Sequence, residues 1–482
     1  MADGLRVGIL VVAYNASGTL ASVLDRIPAE FRPRIAAVLV SDDHSGDGTY
    51  EAGLGYQRRR SDLPLTVVRQ SRNLGYGGNQ KFGYHWAIDH GLDVLVLLHG
   101  DGQYAPERLA DLVEPIAAGR ADVVLGSRMV EPGRARQGGM PAYKYVGNRI
   151  LSRFQNAVVG LRLSEWHSGY RAFAVPALAA IPFDADSDDF DFDTEVLLQL
   201  HASGARIAEV PIPTYYGDEI CYVDGLRYAR DVAADVLRFR LGRIGFGSPL
   251  PGTEPAGHEW KPDEGSSHTR LVDRLRARPP GRVLDLGCST GKLGRRLAEA
   301  GHTVTGVDLH PSAEAKERLA AFVQADLDDG LPLEAVERAP YDTVVAGDVL
   351  EHVRDPGRLL DEVAPLLAPG GSLVASIPNF AHWYPRARVA LGRFDYDERG
   401  ILDRDHVRFF TRRSFARLAR RHGWRVVDTE ATGLPFDVAD RGGAGPGAAD
   451  TLRSALGWAD RVGVKVWPTL FGYQFIVVLE PR

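Results

Sequence analysis

Short, wholly apolar runs alternate with amphipathic stretches along the chain. In the first half the apolar runs are Val7–Tyr14, Ala36–Asp43, Val94–Asp101 and Ala121–Arg128. In the second half they are Arg282–Gly287, Thr303–Asp308, Tyr341–Gly347 and Ser372–Pro378. Runs of this kind, without a polar face, are strands covered on both sides, and helical patterns between them predict parallel sheets. The fold class is therefore α/β, as two open α/β domains with ligands expected at the carboxyl ends of the strands. Between the halves, Arg238–His268 begins as a basic amphipathic tail and becomes a Pro/Gly/Ser/Glu stretch without periodicity, which is linker composition. The expected division is a domain over residues 1–245, a linker over 246–268 and a domain over 269–482. The halves share architecture but no motifs, so this is not an internal repeat.

Composition narrows the partners. A length of 482 residues leaves room for two to four domains at roughly 100–200 residues each. The net charge of -6 gives no support for nucleic-acid binding, which needs a concentrated basic face. Cys221 and Cys288 lie far apart and form neither a zinc spacing nor a disulfide framework, consistent with a reducing compartment. The opening MADGLRVGILVVAYN has no cleavage site and runs into a strand pattern, so it does not read as a signal peptide. No window of about 18 apolar residues is present, so no transmembrane helix is expected. The expected location is cytoplasmic. Peripheral contact with the inner membrane face stays open through the basic segment GLRYARDVAADVLRFRLGRIGFG, although Asp231 and Asp235 interrupt its basic side and favour packing on protein.

Chemistry clusters at the strand ends. The first run ends VVAYN and the second SDDHSGDGT, where Asp42 and Asp43 either meet a ribose or base N–H or cap the following helix. The run VLVLLHGDGQY delivers His99, Asp101 and Gln103, which alternation places on one strand face. A divalent cation (Mg or Mn) on Asp101 would neutralise a diphosphate. The next run ends GSRM, and Arg128 is suited to bidentate phosphate contact.

With RNLGYGGNQKFGYHWA, SGYRAF and DDFDFDTE, these strings resemble the family 2 glycosyltransferases of the GT-A fold, in the flavour of the dolichyl-phosphate mannosyltransferases. The resemblance implies a nucleotide-sugar donor and transfer with inversion. It implies that Ala13, Tyr14 and Asp43 line the nucleotide pocket, that Asp101 reaches metal and diphosphate, and that Gln103 and Arg128 lie near the sugar and phosphates. His99 stands first in what is usually Asp-x-Asp, removing one negative charge from the metal set. Asp218 and Glu219 occupy a region where lipid-phosphate enzymes carry a basic residue, which favours a hydroxyl acceptor. A hydroxyl needs a general base, and Asp191 or Asp193 is expected as that base or as an acceptor contact.

In the second half, GRVLDLGCSTGKLGRRLAEAGHTVTGVDLH is strand, Gly-rich turn, helix, strand and carboxylate. Asp308 follows the turn at the spacing of a ribose-binding acid, about twenty residues. The turn has Gly287 and Gly291 but not the Gly-x-Gly-x-x-Gly of a dinucleotide site. With VQADLDDGLP, GDVLEHVRDP and LLAPGGSLVASIPN, it resembles the class I S-adenosylmethionine methyltransferases, a Rossmann-like fold. That resemblance assigns Asp285, Gly287 and Gly291 to the methionine and ribose portion, Asp308 to the ribose hydroxyls and Asp326 to adenine. Asp348 is a candidate on both the cofactor and the acceptor side. Glu351, His352 and His406 are candidates on the acceptor side, with NFAHWYPRARVALGRFDYDERGILDRDHVRFF as a covering insertion.

The leading expectation is a bifunctional glycan-modifying enzyme of cell-surface polysaccharide biosynthesis. One half adds a sugar to a glycan or lipid-linked acceptor and the other methylates a hydroxyl. The alternatives are a polyprenyl-phosphate sugar transferase at the membrane, or a first half that only binds a nucleotide or carbohydrate and targets the methyltransferase.

Overall fold

The computed structural model describes residues 4–60, 62–213, 215, 224–243, 245–253, 266–434 and 448–482, without the side chains of 448–456. Asp218, Glu219, Cys221 and residues 254–265 of the expected linker lie outside the described residues. The described residues fall into two compact units: those of Met1–Arg240 and Pro249–Glu254, and those of Leu241–Ser248, Pro255–Arg441 and Gly445–Arg482.

The first unit holds a seven-stranded sheet of β1 (Val7–Ala13), β2 (Ile35–Asp42), β3 (Leu65–Arg69), β4 (Val94–His99), β5 (Val123–Ser127), β6 (Arg171–Ala174) and β7 (Ile207–Pro211). Its order is β3-β2-β1-β4-β6-β5-β7. β1 to β4 pair in parallel, as the apolar runs predict. β6 runs antiparallel to both β4 and β5, so the sheet is mixed rather than wholly parallel. β1 and β4 are buried along nearly their whole length, with Ile9 and Val11 feeding one core and Leu10 and Val12 the other. Both faces are covered, and that is why these runs show no polar alternation. The helix Gly225–Arg243 buries Val232, Val236 and Phe239. The part of the basic amphipathic segment that carries Val236 and Phe239 thus packs on the core of the first unit.

The second unit holds β8 (Arg282–Leu286), β9 (Thr303–Asp308), β10 (Ala321–Gln324), β11 (Tyr341–Gly347), β12 (Leu367–Pro378), β13 (Trp424–Thr432) and β14 (Gln474–Pro481). Their order is β10-β9-β8-β11-β12-β14-β13, with β14 antiparallel to both its neighbours. Phe246, expected in the linker, packs in this unit with Ile401 and Tyr473, its ring 4.3 Å from that of Tyr384.

Each sheet reverses its strand order once in its parallel portion, between β1 and β4 and between β8 and β11. Neighbouring loops diverge there and leave a crevice at the carboxyl ends. Among the described residues no helix is long and apolar enough to cross a membrane.

Candidate active sites

In the first unit the loops after β1 and β2 are stitched together. Asn15 N–H donates to Ser45 Oγ at 2.8 Å, Ala16 N–H to Thr49 Oγ1 at 2.8 Å, and Ser17 N–H to Asp47 Oδ2 at 3.0 Å. This leaves Tyr14 45% exposed at the crevice while Ala13 is buried beneath it. Asp43 is buried, and its carboxylate accepts Leu74 N–H at 2.7 Å and Gly75 N–H at 3.1 Å. Burial raises its pKa and those two donors partly offset the rise. Its carboxylate is thus tied to the start of the helix Gly75–Asp89, and not to the helix Thr49–Arg59 that follows β2.

β4 ends at His99, and Gly100 to Gln103 form a turn. The expected alternation of His99, Asp101 and Gln103 along one strand face therefore does not occur. Gly102 takes the left-handed conformation, and Asp101 Oδ1 accepts Gln103 N–H at 3.0 Å. Asp101 is exposed at the rim. His99 instead turns into a polar network. Its Nε2 lies 3.2 Å from the Tyr76 hydroxyl, which donates to Asp193 Oδ2 at 3.0 Å. A phenol has one proton, so with that proton on Asp193 its oxygen accepts from His99 Nε2–H. The ring's remaining lone pair is then on Nδ1, the atom left to bind a cation. Burial lowers the His99 pKa and keeps the ring neutral, against an opposing pull from Asp101. Gly169 makes this packing possible: a Cβ there would sit 2.5 Å from His99 Cε1 and Nε2.

Asp193 also accepts from Gln80 Nε2 at 3.2 Å and lies 3.6 Å from the buried Arg171 guanidinium. These contacts place it beneath the crevice as a holder of Tyr76. Asp191 is different. Its Oδ1 is buried without a hydrogen-bond partner, and it lines a cavity of about 100 Å³ with Asp189, Phe190, Asp224, Arg227, Tyr228 and Asp231. Burial, then Glu195 and Asp191, lift nearby Asp235 to about 8.

Arg128 is buried and is not presented as a bidentate phosphate fork. Its Nε donates to Glu165 Oε1 at 2.8 Å, its backbone N–H to Glu165 Oε2 at 2.8 Å, and its Nη2 to the His167 carbonyl at 3.1 Å. A cation buried without its own counter-ion is costly, and Glu165, itself fully buried, supplies the charge. Neither Glu165, Tyr76, Gln80 nor Arg171 is singled out by sequence reasoning. Their only signal is that Tyr76, Gln80 and Arg171 lie inside the strings RNLGYGGNQ and SGYRAF.

In the second unit the expected residues converge on one rim. Asp285 is in β8 and Asp308 ends β9. Asp308 is aligned with Gln324, the last residue of β10, so Asp326 follows close by. Asp348 follows the end of β11 with φ of 56°. Asp308 is oriented by Ser289 N–H on Oδ2 at 2.7 Å and His310 N–H on Oδ1 at 2.9 Å. The exposed Asp326 accepts Asp328 N–H at 2.8 Å. Asp348 accepts from Gln474 Nε2 at 2.9 Å and pairs with the Ser376 hydroxyl.

Two observations make this rim a cradle. Asp285 is buried with Oδ2 unpartnered, and burial, then Asp308, lift its carboxyl to about 7. Gly287 has φ of 67°, and a Cβ there would lie 2.5 Å from Val349 Cγ2. Gly291 likewise has φ of 73° and leaves 3.0 Å to Ala315 Cα. A buried carboxylate lacking a donor, beside backbone kept clear by glycine, fits an S-adenosylmethionine that brings an ammonium and ribose hydroxyls.

Beyond Asp348, Glu351 and His352 meet His406. The two imidazole centroids are 4.8 Å apart at 73°. His406 is buried, and burial, then His352, lower its pKa. The insertion between β12 and β13 forms the short helix Trp383–Ala390 and an aromatic group of Phe380, Phe394, Tyr396 and Phe409. Arg388 and the Tyr384 hydroxyl both bind buried Asp397, which fastens this insertion.

Residues 8–175 match the glycosyl transferase family 2, and residues 264–429 match a methyltransferase domain. The first half is similar to an undecaprenyl-phosphate mannosyltransferase of Micrococcus luteus, 32% identical over 43% of this chain and 83% of the relative. It is also similar to a polyprenol monophosphomannose synthase of Mycolicibacterium smegmatis, 29% identical over 42% of this chain and 75% of the relative. The second half is similar to a ubiquinone biosynthesis O-methyltransferase of Xylella fastidiosa, 40% identical over 20% of this chain and 42% of the relative.

Proposed function

The chain belongs to the glycosyl transferase family 2 through its N-terminal half and joins to it a methyltransferase domain, and from that premise we propose a two-step glycan-modifying enzyme. The first half transfers a sugar, with inversion, from a nucleotide-sugar to an acceptor hydroxyl. The second half methylates a hydroxyl of that product or of a related glycan. The observation that carries this reading is that each half of the chain holds, at its candidate site, a carboxylate oxygen that is buried without a hydrogen-bond partner, Asp191 Oδ1 in the first and Asp285 Oδ2 in the second.

In the first half, Ala13 and Tyr14 take the base, with Asp43 fixing the wall behind them. Asp101 holds the cation and diphosphate, with His99 Nδ1 as second ligand and Gln103 beside the sugar. Arg128 supports this wall through Glu165. Asp191 Oδ1 is the base for the acceptor hydroxyl. The cavity around it carries Asp189, Asp224 and Asp231 against one cation, Arg227, a charge balance that disfavours an anionic phosphate acceptor.

In the second half, Asp285, Gly287, Gly291 and Asp308 hold S-adenosylmethionine, with Asp326 at adenine and Asp348 on the acceptor side. When bound, the cofactor supplies a sulfonium methyl: its S–CH3 bond breaks as the acceptor O–CH3 bond forms, and the hydroxyl proton leaves. His352 and His406 serve that hydroxyl.

A second reading gives the first half a polyprenyl-phosphate acceptor, in keeping with the names of its two mannosyl-transferring relatives. Tyr143, Val146 and Ile150, exposed along one face of the helix Ala142–Val159, suit contact with a membrane surface. The deciding experiment incubates the full chain with a panel of nucleotide-sugars, labelled S-adenosylmethionine, and glycan or polyprenyl-phosphate acceptors. A hexose and a methyl mass shift on a glycan support the first reading, and a hexose shift on the lipid phosphate supports the second. Consumption of neither donor overturns both.

A further inference from the structure

We propose that the Tyr228 hydroxyl, positioned by His167, donates a hydrogen bond to the acceptor oxygen in the sugar-transfer half, so that this site takes a neutral hydroxyl and turns away an ionised phosphate. The inference rests on the reading of the Asp191 cavity as the acceptor site and says what the acceptor presents there.

His167 stands in the loop before β6, and Tyr228 lies in the first turn of the helix Gly225–Arg243. His167 Nδ1 is 2.8 Å from the Tyr228 hydroxyl, and the ring centroids are 5.5 Å apart at 77°. The loop is fixed from behind, where the His167 carbonyl accepts from Arg128 Nη2. Tyr228 also lines the cavity that Asp191 lines. Asp189, Asp224 and Arg227 are its exposed walls, and Asp191 and Tyr228 are half-buried ones. Phe190, a further wall, stacks on Tyr76 with centroids 5.1 Å apart, so the cavity adjoins the His99 network.

A count of protons shows what the pair lacks. Burial, then Arg128 and Arg171, push the His167 pKa down to about 3, so the ring is neutral and carries one N–H. Burial, then Asp193, keep Tyr228 a phenol with one O–H. Two protons thus share one hydrogen bond, and His167 Nε2 is buried without a partner. In either tautomer one donor is left over. A buried N–H without an acceptor is the rarer orphan, so the proton sits on Nδ1 and is donated to the Tyr228 oxygen. The spare donor is then the Tyr228 O–H, on the residue that lines the cavity.

Asp191 has the opposite deficit, since its Oδ1 is buried without a donor. A missing acceptor and a missing donor are both supplied by one hydroxyl, whose oxygen accepts while its proton is donated. An ionised phosphate accepts from Tyr228 but brings no proton for Asp191, and it meets Asp189, Asp224 and Asp231 in the same cavity. In the transfer step the acceptor oxygen keeps one lone pair on the Tyr228 O–H and attacks the anomeric carbon with the other. Its proton passes to Asp191 Oδ1. The anomeric C–O bond of the donor breaks, and its electron pair leaves on the nucleoside diphosphate.

The test uses the full chain with nitrogen-15 in its histidine rings, the His167 signals being those lost in His167→Gln. They are expected to report a neutral ring with its proton on Nδ1 across neutral pH. A proton on Nε2, or a charged ring, overturns the assignment of Tyr228 as donor. Acceptor kinetics follow at saturating nucleotide-sugar, with a panel of methyl glycosides and with polyprenyl phosphate. Tyr228→Phe is expected to raise the methyl glycoside KM about 3- to 10-fold, with kcat and donor KM within about twofold of the parent. An unchanged acceptor KM, or equal changes in donor and acceptor KM, overturns the contact. Asp191→Asn tests the premise separately. If it leaves transfer unchanged, or if the parent transfers to polyprenyl phosphate alone or to neither acceptor, the reading of the cavity as a hydroxyl site fails, whatever the tautomer of His167.

Discussion

The two crevices are built at the same place in similar sheets, yet they use their charged residues in opposite ways. In the first half, Asp43 is spent on Leu74 and Gly75, Arg128 on Glu165, and Asp193 on Tyr76 and Gln80. Their charges make walls, and the proposed reading leaves recognition to Tyr14, Asp101, Gln103 and Asp191. In the second half, Asp285 remains buried without a donor on Oδ2 while Gly287 and Gly291 keep the space beside it clear. The first crevice is preorganised by internal pairing, and the second is completed by its ligand. A residue's type at a strand end therefore does not tell whether it touches ligand or holds the residue that does.

Substitutions can break this contrast, beginning with the largest effect. Asp191→Asn removes the proposed base and is expected to lower sugar-transfer kcat about 10²- to 10⁴-fold with little change in donor affinity. An unchanged kcat would return Asp191 to a structural role. Arg128→Met leaves Glu165 buried and unpaired, at a cost of about 3–5 kcal/mol in unfolding free energy. The double variant Arg128→Met/Glu165→Leu recovers most of that in denaturant titrations. If Arg128 were instead a phosphate ligand, Arg128→Met would weaken nucleotide binding with stability intact.

Asp285→Asn sharpens the other side of the contrast. Its carboxyl is lifted from the usual 3.8 to about 7, so the folded state holds the proton more tightly than the unfolded chain. The penalty is absent below about pH 4, grows as pH rises through the interval up to 7, and is complete above it. Without cofactor, the variant is therefore expected to melt higher than the parent at pH 8 and level with it near pH 4. It should also lose about 2–3 kcal/mol of S-adenosylhomocysteine affinity, because a neutral amide replaces the carboxylate facing the ammonium. Calorimetry at the two pH values reads both effects. Tyr76→Phe has the smallest effect. It removes the hydroxyl between His99 and Asp193 and is expected to cost about 1 kcal/mol in a denaturant titration.

Much of this architecture was legible because it is written locally. Buried runs such as Val94–His99 and Tyr341–Gly347 announce covered strands, and Gly287 to Asp308 announces a cofactor turn. What escaped depends on partners distant in the chain. Glu165 meets Arg128 across 37 residues, and Asp193 meets Tyr76 across 117. The antiparallel β6 and β14 also escaped, since an apolar strand does not carry its direction in its composition. β4 reads two residues too long because His99 is held in place by Tyr76 and Gly169, contacts that no local period reveals. His352 and His406 were each visible as chemistry, but their meeting depends on how the insertion folds back over Glu351.

The central claim is two separate donor sites in one chain. Isothermal titration calorimetry of the full protein with S-adenosylhomocysteine, and separately with nucleoside diphosphates plus Mn, tests it directly. The account predicts one site for each ligand, with Asp285→Asn weakening only the first and Asp101→Ala weakening only the second. Failure of either ligand to bind, or loss of both through one substitution in a folded protein, would contradict it.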